Sequence, residues 1–379
     1  MKSTLGIILA AALTSAAATG PIPGRAKPAA RPLTDGLAVL EAIFPVPSMT
    51  GNEERLAAKI RQLLPGGSAF DRDNLGSLYL KLGPGEPALT VLAAMDEFGY
   101  VVSGITADGY LTVDRPTAPP VPIYDSFLIG HPVLVSSNRG ILHGLGVQPA
   151  MHVLTKERRE QLASNLTLDM IFIDVGARSE AEARAKGVEI LDPVTQWPDL
   201  VSLANGRMAG PALGQKAACA ALAAAASGLV GTESAAGTTF VWMAQTRLSA
   251  RGERASLGAV RARNKIAPKA VLLLDVVAAD RGEKSPVLGG GPVLFQGQEG
   301  PSAVREAVES AAKEKGLALQ VLTGLSTPAL SAFAAAGIDA VVLALPAKFA
   351  GTPSEVIEKK DVQAVADIVS AAVASGRVK

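Results

Sequence analysis

The sequence predicts an α/β protein, with a mixed sheet flanked by helices and interrupted by a β-rich, barrel-like insertion. Apolar runs such as "TVLAA" (90–94) and "KAVLLLDVVAAD" (269–280) alternate with helical stretches, the pattern of an α/β sheet domain. Between about Val101 and Asp199 the pattern changes to short alternating segments ("VVSGIT", "GYLTV", "HPVLVSS", "DMIFIDVG") separated by Gly- and Pro-rich turns, which predicts a small barrel or sandwich. The 379 residues suffice for one large or two modest domains, and with aromatics at 4% the core must be built from Ala, Val and Leu.

Taken in order, residues 1–18 have the form of a secretory signal peptide. Lys2 supplies the positive start, Leu5 to Leu13 the apolar stretch and Ala16 to Ala18 the small-residue cleavage site. The apolar stretch is shorter than the ~20 residues of a membrane span, so the expectation is export to the periplasm or the exterior. Residues 19–33 read as a Pro/Ala-rich linker. The α/β domain is then discontinuous, 34–100 and 200–379, around an insertion at 101–199. Leu33 to Leu64 reads as helix, turn, helix, with Thr50 as N-cap and Glu53 and Glu54 at the positive end of the second helix dipole. "DRDNLGSLYLKLG" and "ALTVLAAMD" are strands, and "SEAEARAKGV" is the one clear helix of the insertion. Further on, "GQKAACAALAAAASGLV" is a helix, "TTFVWMAQTR" a strand and "KAVLLLDVVAAD" a strand buried on both faces. "SAVREAVESAAKEKGL" (helix), "LALQVLT" (strand), "PALSAFAAAGI" (helix) and "DAVVLALP" (strand) follow, and "SEVIEKKDVQAVADIVSAAVAS" closes the chain as a helix.

Lys and Arg total 36 against 35 Asp and Glu, a net charge of +1, which argues against a nucleic-acid surface. Cys219, the one cysteine, excludes an intrachain disulfide and a Cys-based zinc site and reads as a buried helix residue. His131, His143 and His152 all fall in the insertion without metal-ligand spacing, so they read as surface histidines. No Ser-His-Asp set is available to the α/β part. "GGGPV" at Gly289 reads as a turn and the arginine-rich "ARGERASLGAVRARNK" as a solvated loop. Met95-Asp96-Glu97 places two carboxylates at the end of a strand, where catalytic groups of α/β sheets commonly stand.

The order of these segments resembles the cocatalytic metallo-aminopeptidases of metallopeptidase family forty-two, which include glutamyl aminopeptidase, the tetrahedral aminopeptidases and endoglucanase-annotated relatives. "SMTGNEERLAAKI" resembles the family's Ser-Gly-x-Glu opening, "DRDNLGSL" its Asp-x-Leu-Gly-Asn strand and "AAMDEFGYVVSGI" its His-Met-Asp-Glu-Ile-Gly-Phe motif. "IDVGARSEAEARAKGV" is similar to the end of the family's insertion, "LLLDVVAAD" with "LGGGPVL" to its Asp-bearing strand, and "LPAKFAGTPSEVIEKKD" to its closing Pro-x-Arg-Tyr-x-His-Ser-x-x-Glu. The resemblance implies an aminopeptidase-like lobe carrying a dimerisation-type β domain, hence a homo-oligomer or an assembly with related subunits. It also implies two divalent metals, Zn or Co, with a free Glu as general base. Carried over residue by residue, however, the first ligand His is Ala94, the bridging Asp is Gly214 and the closing His is Gly351. The Glu-Glu pair is Thr246-Arg247 when read from the preceding strand, or Gly252-Glu253 when read back from Asp275. Asp275 keeps a ligand position, Glu253 is a second remnant on that other alignment, and Asp96 keeps the place of a residue that orients a ligand His. The expectation is therefore an exported pseudopeptidase without the family's metals, binding peptide-like ligands or serving assembly, so that enzyme status stays open. The alternative is an active metal-dependent aminopeptidase whose Asp96, Glu97, Glu253 and Asp275 converge, with Mg²⁺ or Ca²⁺ held by carboxylates.

Overall fold

The computed structural model describes residues 33–378 except 67, 165, 252–253, 280–281, 283–284 and 298–299, and only the backbone at 151 and 161–164. The signal peptide, all but the last residue of the linker, and Gly252 and Glu253 thus lie outside the described residues.

Helices α1 (Gly36–Ile43) and α2 (Glu54–Leu63) precede strands β1 (Phe70–Arg72), β2 (Leu78–Leu82) and β3 (Leu89–Ala94). The chain then builds β4 (Tyr100–Ile105), β5 (Leu111–Asp114), β6 (Pro132–Ser137), β7 (Gly140–Val147), α3 (Lys156–Ser164), β8 (Phe172–Asp174), α4 (Glu180–Ala185) and β9 (Pro193–Gln196). The six strands of this stretch close into a barrel in the order β4-β5-β8-β7-β6-β9. Its inward residues, among them Tyr100, Val102, Leu111, Val133, Ile173 and Val194, form a core of their own.

Beyond it lie β10 (Val201–Ser202), β11 (Arg207–Gly210), α5 (Leu213–Leu229), β12 (Thr238–Met243), α6 (Leu257–Ile266) and β13 (Ala270–Ala278). After these come β14 (Val293–Gln296), α7 (Ala303–Glu314), β15 (Gln320–Val321), α8 (Pro328–Ala334), β16 (Asp339–Ala347), β17 (Glu355–Glu358) and α9 (Lys359–Ala374). Eight strands make the main sheet in the order β1-β2-β12-β3-β13-β16-β14-β15, and its centre β12-β3-β13-β16 is parallel. Both faces are covered, as a parallel sheet requires. Val91, Ala93, Leu272 and Leu274 pack with the helices of one layer, α1, α2, α5, α7 and α9. Their alternating neighbours Leu92, Val271 and Leu273 pack with α6 and α8 on the other. The alanines of α5 are buried along its whole length, so it lies against β3, β13 and β16 with almost no side chain between backbones. Cys219 is one of these fully buried residues, and burial pushes its thiol up, as befits an inert core position. No helix among the described residues is long and apolar enough to cross a membrane.

Several local expectations are corrected. Thr50 does not cap α2: Glu53 takes the cap position without a side-chain bond, and Thr50 Oγ1 donates to Asp96 instead. The arginine-rich "solvated loop" contains α6, capped by Ser256, whose Oγ accepts from Ala259 N. Its short apolar set (Ala259, Val260, Ala262) was masked by the arginines between. α3 is a second helix in the insertion, whose sequence, "KERREQLAS", carries no apolar periodicity that would reveal it. Glu355–Glu358 is a strand, β17, joined to β11 and β10 in a three-stranded sheet, and only from Lys359 is the closing segment helical. Tertiary pairing overrides a local sequence that reads equally well as helix.

Candidate functional site at the end of the parallel strands

β3, β12 and β13 run in one direction, so their C-terminal ends define one edge of the sheet. Ala94 pairs with Met243 of β12, and Ala93 with Leu274 of β13, which puts Ala94 level with Asp275. A cavity of about 360 Å³ opens there, bordered by Ala94, Gln215, Thr246, Arg247, Asp275 and Thr327. A smaller one of about 120 Å³ adjoins it, bordered by Glu97, Gln215, Arg247, Gly351 and Glu355. The structure thus brings Ala94, Thr246 and Asp275 to one cavity and Gly351 to its neighbour, while Gly214 stands in the first turn of α5 alongside Val276.

Asp96 and Glu97 both border the smaller cavity, but each carboxylate is engaged by its own partners. Asp96 is fully buried; Oδ2 accepts from Thr50 Oγ1 at 3.0 Å and from Arg247 N at 3.0 Å, and Oδ1 from Thr246 Oγ1 at 2.5 Å. Its carboxylate therefore pins the turn after β12 to the turn before α2. Glu97 Oε1 accepts from Ser48 N at 2.7 Å and lies 3.4 Å from Lys216 Nζ, a pair whose side chains are only 7% and 3% exposed. Asp275 Oδ1 accepts from Val276 N at 2.8 Å and the carboxyl also accepts from Thr327; burial pushes it up to about 6. The four carboxylates singled out from sequence thus serve different partners, apart from Glu253, which lies outside the described residues.

Two residues escaped the sequence reading. Glu355 sits behind the smaller cavity, its Oε2 accepting from Gly214 N and its Oε1 from Gly351 N, each at 2.8 Å. It thereby caps α5, whose own cap residue, Ala212, is in the left-handed region at φ 48° and offers no side chain. Nothing in "PSEVIE" announces this. Lys216, by contrast, left a signal, as a lone charge inside an otherwise apolar alanine helix.

The model of the M42 glutamyl aminopeptidases matches residues 76–368. The chain belongs to the M42 glutamyl aminopeptidase family. Among curated relatives, it is 28% identical over 300 residues to the lysyl aminopeptidase of Pyrococcus furiosus, covering 76% of this chain and 82% of that protein. With the FrvX protein of Escherichia coli it shares 26% over 345 residues, 87% of this chain and 93% of the other. Among solved structures, the TET1 peptidase of Pyrococcus horikoshii superposes with a TM-score of 0.76 at 23% identity, covering 89% of this chain and 98% of that one. The TET aminopeptidase of the archaeon Thaumarchaeota SCGC AB-539-E09 gives 0.75 at 24%, covering 88% and 95%. These two likenesses establish the fold, barrel included.

Within this M42 chain the positions that resemblance assigns to metal ligands have a definite local chemistry. Ala94, Gly214 and Gly351 carry no donor atom, and Thr246 and Arg247 carry no carboxylate. Asp275 is the one carboxylate bordering the larger cavity among the described residues. At Gly214 even the first atom of a longer side chain has no room, since a Cβ would stand 2.4 Å from Val276 Cγ2. Gly351 has φ +81°, and a Cβ there would approach Pro120 Cβ to 3.0 Å. Among the described residues no group of three or more His, Cys, Asp or Glu side chains is placed to hold a metal ion.

A further buried acid of this M42 chain is Glu53, which feels the charge of Asp96. Its Oε1 accepts from Gly51 N at 2.9 Å and from Gln245 N at 2.8 Å. Burial, then the charge of Asp96, push it up from 4.5 to about 7. The folded chain therefore holds this proton more tightly than the unfolded chain. Between 4.5 and about 7 stability falls as pH rises, and above that window the ionised group costs about 3 kcal/mol. Asp275 and Asp361, both pushed up to about 6, act in the same direction at lower pH. In urea titrations across this range, Glu53→Gln is expected to flatten the upper part of the slope. An unchanged profile would show that Glu53 does not titrate there.

Proposed function

We propose that this M42 chain is a non-catalytic member of its family, in which the cleft is retained for binding peptide-like ligands and the metal-dependent chemistry is lost. The carrying observation is the content of the cleft edge. The residues at the ligand positions supply one carboxylate, Asp275, and a guanidinium, Arg247, where two divalent ions need several carboxylate and imidazole donors. A cation beside the site also opposes a second cation. The donor set does not fit a two-metal centre, and no step is derived through one. Asp96, which in the resemblance orients a ligand His, here holds Thr50, Thr246 and the Arg247 backbone.

The second reading, an active aminopeptidase with an unusual site, is favoured by membership of the family and by relatives that are themselves aminopeptidases. The comparisons suit either reading, and the residues of the cleft favour the first. Homo-oligomeric assembly through the β-barrel is part of the proposal, supported by the likeness to a TET1 peptidase that assembles into a tetrahedron or an octahedral shell. Export rests on the pattern of residues 1–18.

One preparation tests these points together. Protein recovered from outside the cytoplasm is N-terminally sequenced, sized, assayed for bound metal, and offered leucyl, lysyl and glutamyl substrates with and without added Zn²⁺ or Co²⁺. The expected result is a chain trimmed after about residue 18, an oligomer, substoichiometric metal and no turnover. Stoichiometric metal with turnover would overturn the inactive reading, an intact Met1 the export, and a monomer the assembly.

A further inference from the structure

The larger cavity has a feature that loss of a metal site alone does not require: an arginine whose side chain makes no hydrogen bond or ion pair among the described residues. Arg247 is set by its backbone, whose N–H donates to Asp96 Oδ2 at 3.0 Å, and by Phe98, whose ring centroid is 5.8 Å from the guanidinium carbon. Its Nε is buried and makes no hydrogen bond, and its side chain forms no ion pair among the described residues. A buried donor left unsatisfied costs free energy, and in a native structure it points to a missing acceptor. Glu355, which borders the smaller cavity together with Arg247, has both oxygens engaged by Gly214 and Gly351 amides. Arg254, on the same cavity wall, is exposed and likewise forms no ion pair among the described residues, and Ser249 lines the same wall.

We infer that this cavity is a carboxylate-binding site in which Arg247, assisted by Arg254, receives a monoanionic carboxylate. The guanidinium fork matches a carboxylate in a bidentate manner and is held in orientation by Phe98, so little side-chain freedom is lost on binding. The charge on the cavity wall favours an anion. Two arginines outweigh the one acid on the cavity wall, Asp275, whose oxygens are turned to Val276 N and Thr327. A carboxylate engages the guanidinium fork with both its oxygens, whereas a phosphate adds charged oxygens that must lie near Asp275. The volume, about 360 Å³, suits a small ligand. The C-terminus of a short peptide and a small organic acid share this chemistry. The inference uses the same cleft as the proposed function but does not depend on the absence of turnover.

Calorimetric titration of the full chain at low salt tests it with four probes: Ala-Ala, Ala-Ala amide, propionate and inorganic phosphate. Ala-Ala is expected to bind, its amide and phosphate much more weakly. Binding by propionate as well marks an organic-acid site, and its failure marks a peptide terminus. Arg247→Gln is expected to weaken Ala-Ala binding by about tenfold or more, Arg247→Lys to restore part of it, and the exposed Arg254→Gln to give a smaller loss with unchanged thermal unfolding. Equal binding of the acid and the amide, no binding of either carboxylate probe, or wild-type affinity in both glutamine variants would overturn the inference. Release of free alanine, measured in parallel, would refute the inactive reading while leaving the carboxylate site standing.

Discussion

Replacing Lys216 by methionine is expected to lower stability by about 3–5 kcal/mol, the range for breaking a buried ion pair from one side. The ammonium is 3% exposed and has three partners: Glu97 Oε1 at 3.4 Å, Phe44 O at 2.9 Å and Val46 O at 3.0 Å. Phe44 is the C-cap of α1, so Lys216 also satisfies the carbonyl end of that helix where its dipole is negative. Methionine fills similar volume, so the loss reports charge rather than a cavity. Glu97 would be left buried with Ser48 as its remaining hydrogen-bond partner among the described residues. The double variant Lys216→Met with Glu97→Gln removes both charges and is expected to recover much of the loss, because an unpaired buried carboxylate is what costs most. Urea unfolding of the two single variants and the double gives the coupling directly. A cost below about 1 kcal/mol for Lys216→Met would place the pair in water rather than in the core.

Glu355→Ala is the second large effect, about 2–4 kcal/mol of destabilisation from two backbone amides losing a charged acceptor. The carboxylate is 6% exposed and spans 141 residues of sequence to reach Gly214. Burial holds its carboxyl above the ordinary value, while the Gly351 and Gly214 amides pull the other way. Glutamine keeps one acceptor and turns its NH₂ towards the other amide, so Glu355→Gln should fall between wild type and alanine. Because Gly214 opens α5 and Gly351 borders the smaller cavity, the loss should appear locally, as faster amide hydrogen exchange at the start of α5 and in the 349–355 turn. Unchanged exchange there, together with unchanged unfolding, would remove Glu355 from the framework of the cleft.

These two residues also show that the framework of the cleft is held by the protein's own groups. Asp96, Glu97 and Glu355 are tied to backbone and side-chain groups of distant loops, and none of their bonds needs a metal. Those bonds close the cleft around whatever occupies it. At its edge Arg247 and Asp275 border the same cavity.

The class of fold, the alternation of β and α segments, the β-rich interruption and the family were legible in the chain. Local periodicity and motif order carry them, and both are properties of neighbours in sequence. The absence of donors at Ala94, Gly214 and Gly351 was legible for the same reason, since a side chain without a ligand atom lacks one in any fold. The strand at Glu355–Glu358, the helix hidden among the arginines at 257–266, and the partners of Asp96, Glu97 and Lys216 were not. They depend on groups far apart in sequence, such as Thr50 and Asp96, separated by 46 residues, or Lys216 and Phe44, separated by 172. Only the packed sheet brings these to within 3 Å. Whether a carboxylate faces a ligand or a backbone amide is settled by that packing, because burial obliges each charge to take the partner the fold leaves beside it.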